Sequence, residues 1–477
     1  MTAVEHDAVV VGAGPNGLAA AITLAKNGLK PLVLEGSETI GGGAGSSELT
    51  LPGFIHDTGS AIHPLGAASP FFASLPLSKF ELEWIKTPAA LAHPFDDGTA
   101  AILESSIETT AESLDADAKN YITLVKPYIG YWNELVIDLL GTRRLPKHPL
   151  SLAIFGLRAF HSARSFAEGF FTGYRARGFF AGLSAHSALP LSKAPSAVFG
   201  LTLCIAGHTV GWPIPRGGAG AITSALSEYL QTLGGRIVTG QFVKSLADLP
   251  ESKAVFFDTS PTALSEIYKD LLSKQYKRKV RNYKYGPGIF KVDWALSGTI
   301  PWSARECMNA GTIHLGGTFD EIAEAEFAAW HGQVVDKPFV ILAQPSLFDP
   351  SRAPAGKHTA WSYCHVPNGC TSDMTESIEA QVERFAPGFR DVILARHTST
   401  PAELQAENPN LVGGDITGGA QSLKQVFCRP TCSISPYSTP LKNVFICSAS
   451  TPPGAGVHGM CGYHAARAYL KSIKLWR

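Results

Sequence analysis

The chain has 477 residues, 40 of them Lys or Arg and 40 Asp or Glu, and a formal net charge of zero. Single cores stop growing at about 250–300 residues, so two structural regions are expected. The charge balance excludes a general nucleic-acid binder, which would show a basic excess, and no apolar run reaches the ~18 residues of a membrane-spanning helix.

The first residues, MTAVEHDAVVVGAG, place no basic segment before the apolar run, which leads directly into glycines, so no secretory signal is expected. Eight cysteines (204, 307, 364, 370, 428, 432, 447, 461) form neither a C-x-x-C pair nor an even ladder of spacings. They read as reduced thiols in a reducing compartment, without a metal site or a disulfide framework, and a cytoplasmic location is expected.

DAVVVGAGPNGLAAAITLAKNGLKPLVLEG reads as a buried strand at 8–11, a glycine turn, a helix over about 17–27 and a second strand at 31–34. Gly12, Gly14 and Gly17 supply G-x-G-x-x-G, with Pro15 and Asn16 between, and Glu35 closes the second strand 18 positions after Gly17. Gly12 makes the turn, Gly14 lets a pyrophosphate lie against the backbone, and Gly17 brings the helix close to the sheet. The helix N-terminus then holds the anion, and Glu35 accepts from ribose hydroxyls. Strand, helix, second strand and terminal acid together indicate a bound dinucleotide.

Beyond Glu35 lies GSETIGGGAGSS, with Gly41, Gly42, Gly43 and Ala44, followed by LPGFIHDTGSAIHPL. A second glycine cluster is not needed for NAD. FAD lies extended and needs further close backbone approach, so FAD is favoured.

With GFIHDTGSAIHPL, NPNLVGGDITGG (408–419) and VFICSASTPPGAGVHGMCGYHAARA, these motifs make the chain resemble the phytoene dehydrogenase-like flavoproteins. That group includes carotenoid desaturases, a carotene isomerase and retinol saturase, and the chain resembles its branch with pyridine nucleotide-disulphide oxidoreductase domain-containing protein 2. Where many relatives read G-G-R after the acid, this chain has Gly41-Gly42-Gly43, so no arginine contact to the cofactor carries over. The resemblance implies an α/β fold: a Rossmann-type FAD-binding domain of the glutathione-reductase and amine-oxidase kind, assembled from 1–70, 211–285 and 426–477. It also implies an α+β substrate domain, with a mixed sheet and a helical layer, from 71–210 and 286–425.

WPIPRGGAGAITSALSEYLQTLGGRIVTGQFVKSL reads as a loop, a helix over about 221–233, and strands at 236–238 and 242–245. The resemblance places the second of these strands at the adenine side, through Val243. AVFFDTSP reads as the next sheet strand. RGGAG follows a proline loop and reads as a domain-crossing turn, so one Rossmann signature is present and no separate NAD(P) domain is expected.

In the middle, FKVDWALSGTI, PFVILAQPSLF and HTAWSYCHVP have strand character, and TESIEAQVERFAPGF reads as a helix ended by Pro-Gly. Residues 143–193 carry Arg143, Arg144, Lys147, Arg158, Arg164, Arg175, Arg177 and Lys193 against the single acid Glu168, among many phenylalanines. Two readings stand: a helical segment within 126–195 that meets an anionic membrane and admits a lipophilic substrate, or an ordinary helical layer with phenylalanines in the core or at a dimer interface.

Near the end, NVFICSAS reads as a buried strand and PPGAGVHG as a loop leading into a helix over 460–472. In the related flavoproteins this helix points its N-terminus at the flavin, which implies cofactor contacts from Gly456, Val457, His458 and Met460 through unpaired N–H groups. His63 is the first candidate to line the flavin pocket as a catalytic group, His458 the second, with positioning as its other role, and His208 the third; each competes with a structural hydrogen-bonding role. Cys461 adjoins the flavin loop without a basic partner nearby in sequence.

The expected activity is FAD-dependent oxidation, desaturation or saturation of a lipophilic or polycyclic small molecule, by hydride transfer to or from flavin N5, with oxygen, a quinone or a diffusing acceptor taking the electrons. Two alternatives are a redox-neutral isomerase that needs reduced flavin, and a non-catalytic flavoprotein serving as a binding or assembly partner.

Overall fold

The computed structural model describes residues 6–142 and 146–475. In chain order the elements used below are β1 (Ala8–Val11), α1 (Pro15–Ala25), β2 (Pro31–Leu34), β3 (Ala89–Pro94), β4 (Ala100–Glu104), α2 (Pro149–Ala159), α3 (Tyr174–Ala185) and α4 (Ser196–Thr209). They continue with α5 (Gly220–Thr232), β5 (Arg236–Val238), β6 (Val255–Phe257), β7 (Gly288–Leu296), β8 (Ala310–Leu315), β9 (Val340–Ala343) and β10 (His358–Val366). The last are α6 (Thr375–Phe385), β11 (Ile393–Ser399), β12 (Val444–Ile446) and α7 (Met460–Ser472).

The first sheet has the order β12-β6-β1-β2-β5, and every pair in it is parallel. Strands covered on both faces read as continuous apolar runs, as in AVVV of β1 and PLVL of β2. The helix α1 is buried along its whole length, packed on α7 and α5. Its small residues permit an unusually close crossing: a Cβ on Gly462 of α7 would lie 1.8 Å from the Asn16 carbonyl oxygen.

The second sheet has the order β11-β7-β10-β9-β8-β3-β4. Only β8 and β3 pair in parallel; the other neighbours are antiparallel. Its strands alternate in chemistry. Phe290, Val292, Trp294, Cys364, Ile313 and Leu342 belong to an apolar cluster with α6, whereas Lys291, Asp293, Trp361, Tyr363, Thr312 and His314 occupy the other face, since neighbours two apart share a side.

Helices within 118–142 and 146–209 form a layer. Its phenylalanines 155, 166, 171, 179 and 180 are buried. Its arginines are largely tied down within the molecule: Arg164 meets Glu168 and Asp320, and Arg175 meets Asp115 and packs on Phe95. Most of this segment is therefore an ordinary helical layer. Arg143 and Arg144 lie outside the described residues.

The boundaries differ from expectation in two places. α1 begins at Pro15, not near 17, because proline lacks the N–H that a first helical turn leaves unpaired. Residues 242–245 form no strand: Gln241 N–H donates to Glu35 O at 2.7 Å, after which the chain leaves the sheet edge and Phe242 packs over Gly36.

The expectation of reduced cysteines is corrected at one pair. Cys428 and Cys432 form a disulfide, their Cα atoms 4.3 Å apart across a four-residue separation. A C-x3-C spacing closes across a tight turn without any ladder of spacings elsewhere. The other six cysteines are free, five of them buried.

Candidate functional site

A cavity of about 1660 Å³ is lined from both sheets. This exceeds the roughly 300–1,000 Å³ of a site for one small ligand and suits a dinucleotide together with a second molecule.

One end is built where the parallel strands stop. Gly12 has φ +103°, and its N–H donates to Leu34 O at 2.8 Å, making the turn from β1 toward α1. A Cβ on Gly17 would stand 2.0 Å from Gly12 O, so this glycine lets helix and turn pack. Gly14 is the N-cap of α1, and no side chain of its own caps the helix. A Cβ on Gly42 would reach within 3.1 Å of the Gly14 Cα, and one on Gly43 would meet nothing within 4 Å. Two backbone segments thus face each other without side chains at a helix N-terminus, a cradle in which a pyrophosphate fits.

Glu35 ends β2 at the cavity wall, its carboxylate accepting from the N–H of Ala13 at 2.7 Å and of Ser37 at 2.9 Å. Asp258, just past β6, also lines the cavity, and its Oδ2 accepts from Gly17 N–H at 2.7 Å. Burial, with Glu35 adding to it, pushes the Asp258 carboxyl up to about 7.

The C-terminal loop closes this end. Gly456 and Val457 line the cavity. The N–H of Met460, expected to be open, donates to His458 Nδ1 at 3.1 Å, and Ser69 Oγ donates to His458 O at 2.6 Å. His458 is fully buried, which holds its imidazole down at about 4, and it does not line the cavity. It stands one residue before the N-cap Gly459 and accepts the first N–H of α7.

Of the other expected residues, Pro15, Asn16, His63 and Val243 line the cavity. Gly17, Ala44 and Met460 stand behind its wall. His63 is 2% exposed, its Nε2 has no partner among the described residues, and burial lowers its pKa to about 4. His208 is set away from the cavity, bonded to Tyr121 Oη at 2.6 Å. The Cys461 thiol is buried and pushed up to about 11, so it is not a thiolate near neutrality. Among the described residues no cluster of three or more His, Cys, Asp or Glu could hold a metal.

The other end of the cavity is the polar face of the second sheet together with the helical layer: Ile289, Lys291, Thr312, Ile341, Trp361 and Tyr363 from strands, and His186 just past α3. Lys291 is 2% exposed and ion-paired with Asp293. His186 Nε2 lies 2.9 Å from His314 Nε2. A second buried pair, Arg352 Nη2 to Asp57 Oδ2 at 2.9 Å, sits in the same region of charge, with His56 Nδ1 3.7 Å from Asp293. Sequence reading missed this set and Asp258. Alternation in β7 and β10 marks which residues share a face, but nothing local says that the face looks onto a cavity.

Residues 10–75 match the NAD(P)-binding Rossmann-like domain. The chain is 24% identical to pyridine nucleotide-disulfide oxidoreductase domain-containing protein 2 of Rattus norvegicus, over 98% of this chain and 94% of that protein. It is 23% identical to the lycopene-forming phytoene desaturase of Pantoea ananas, over 97% and 98%. A solved oxidoreductase from Methanosarcina mazei superposes with a TM-score of 0.67 at 16% identity, covering 97% of this chain and 99% of that one, a likeness of fold. Homologues of the chain thus include phytoene desaturases, and its Rossmann-like domain fits a phytoene dehydrogenase-like FAD oxidoreductase family and FAD binding. A general flavin oxidoreductase is what these homologues support.

Proposed function

We propose that this protein is an FAD-dependent oxidoreductase that desaturates, saturates or oxidises a lipophilic small molecule. The observation that carries this reading is the continuity of one cavity from the glycine cradle at α1 to the polar face of the second sheet. A dinucleotide held at one end leaves space at the other for a substrate.

Each part of the chain has a task in this reading. Gly14, Gly42 and Gly43 hold the pyrophosphate by close backbone approach, and the N-terminus of α1 complements its charge. Glu35, with one backbone donor on each oxygen and lone pairs left over, accepts from a ribose hydroxyl, and Val243 covers the adenine side. Gly456 and Val457 position the redox ring. Bound FAD supplies the redox chemistry, accepting or returning a hydride. His63, neutral at pH 7, can hydrogen-bond in the pocket but cannot serve there as a cation. We further propose that segments 1–70, 211–285 and 426–477 act as the cofactor domain and the remainder as the substrate domain.

Lipophilic substrate is supported by the walls as well. Leu152, Phe155, Phe160 and Phe427 line the cavity, and Phe160 stacks on Phe427 at 5.8 Å. Beside them α2 exposes Leu150, Ile154 and Leu157, the last by 80%. At this spacing they share one helix face, which suits contact with a lipid surface from which such a substrate enters. Among the described residues no helix is long and apolar enough to cross a membrane.

Anaerobic mixing of the flavin-loaded protein with a panel of lipophilic compounds tests the proposal. Bleaching of the flavin bands by one class and their return on adding oxygen or a quinone supports it. Turnover of a double-bond isomer with no net bleaching would replace it with isomerisation, and no response to any lipophile would overturn it.

A further inference from the structure

The second sheet presents two chemically opposite faces, and the one that looks into the cavity is not what a pure hydrocarbon needs. In register across the sheet stand Asp293, Trp361, Ala343 and Thr312, and in the next row Lys291, Tyr363, Ile341 and His314. Thr312 is 1% exposed and Trp361 8%, both line the cavity, and neither the Thr312 hydroxyl nor the Trp361 indole N–H has a hydrogen-bond partner among the described residues. They flank Ala343, whose methyl group is the smallest side chain of that row. Buried polar groups are nearly always paired, so two orphaned donors on one cavity wall mark a place where an acceptor belongs.

The charge count narrows that acceptor. Lys291 is already paired with Asp293 and Arg352 with Asp57. A carboxylate would arrive without an unmatched cation, and an ammonium would arrive beside Lys291 without an unmatched anion; a buried unpaired charge is strongly unfavourable. A neutral oxygen meets neither objection. We infer that the substrate is a lipophile carrying a carbonyl group, whose oxygen is hydrogen-bonded by the Trp361 indole N–H and the Thr312 hydroxyl. This inference rests on the functional reading above and narrows its substrate class. The apolar remainder of the molecule lies along Ile289, Ile341 and the helical layer, and the carbonyl fixes its orientation in the cavity.

The test compares 2-acetylnaphthalene with 2-ethylnaphthalene, which differ by a carbonyl in place of a methylene, by equilibrium dialysis against the flavin-loaded protein. The ketone is expected to bind at least ~10-fold more tightly, the ratio that one well-made hydrogen bond supplies. Trp361→Phe and Thr312→Val should each shrink that ratio. Equal affinities in the wild-type protein, failure of both compounds to bind, or a ratio that survives both substitutions would overturn the inference. The flavin bands of the same samples report separately on the functional reading: a protein without flavin overturns that reading whatever the naphthalenes do, and a loaded protein indifferent to the carbonyl overturns the substrate class alone.

Discussion

Asp258 Oδ2 accepts the main-chain N–H of Gly17 at 2.7 Å, so a carboxyl from the end of β6 serves the helix terminus that the glycine fingerprint leaves free for an anion. Glu35 is the neighbouring acid that raises it further. Both acids stand beside the position proposed for the pyrophosphate.

The Asp258 carboxyl rises from 3.8 to about 7 on folding. A raised acid favours its neutral form in the native state, so the stability it gives is fully present below pH ~4, declines as pH climbs toward 7, and is absent above it. Asp258→Asn removes the titration while keeping an acceptor for Gly17. The melting temperature of the flavin-free variant, relative to wild type, is expected to rise between pH 5 and pH 8; a difference that stays constant would contradict the assignment.

Gly14→Val places a branched side chain where even a Cβ comes within 3.0 Å of Asp258 Oδ2. The chain is expected to fold yet lose FAD, since the side chain fills the pyrophosphate position. Flavin-to-protein ratio after gel filtration checks this, and an unchanged ratio would displace the cofactor from the cradle.

Gly462→Val tests the crossing of α1 and α7. A Cβ there would overlap the Asn16 carbonyl at 1.8 Å, and helix backbone cannot yield as a side chain does. A loss of about 3 kcal/mol in urea unfolding is expected, as for severe overpacking.

Arg352→Met strips the partner from Asp57, both side chains being 1% exposed. Removal of one member of a buried pair costs about 3–5 kcal/mol, and the double change with Asp57→Asn should recover much of that because no charge is left alone. Additive losses in the double variant would show that the two residues act independently.

The fold was legible where a local rule operates. The strands at 8–11, 31–34 and 236–238 and the helix at 460–472 fall on the predicted residues because buried parallel strands are apolar runs and the glycine loop announces the final helix. Residues 242–245 look like a strand by composition but follow an edge strand with no further neighbour, a fact of topology. The glycine cradle was legible because its spacing is local. Asp258, Lys291, Thr312 and Trp361 were not, because four separate strands bring them to one cavity and no short-range pattern records that meeting.

The most direct measurement is the flavin content of the purified protein. The absorption spectrum, followed by heat release and chromatographic identification of the cofactor, is predicted to show FAD at roughly one per chain, the stoichiometry of a single dinucleotide cradle. A folded, colourless protein that takes up no FAD when it is supplied would contradict the cofactor assignment and the oxidoreductase function built on it.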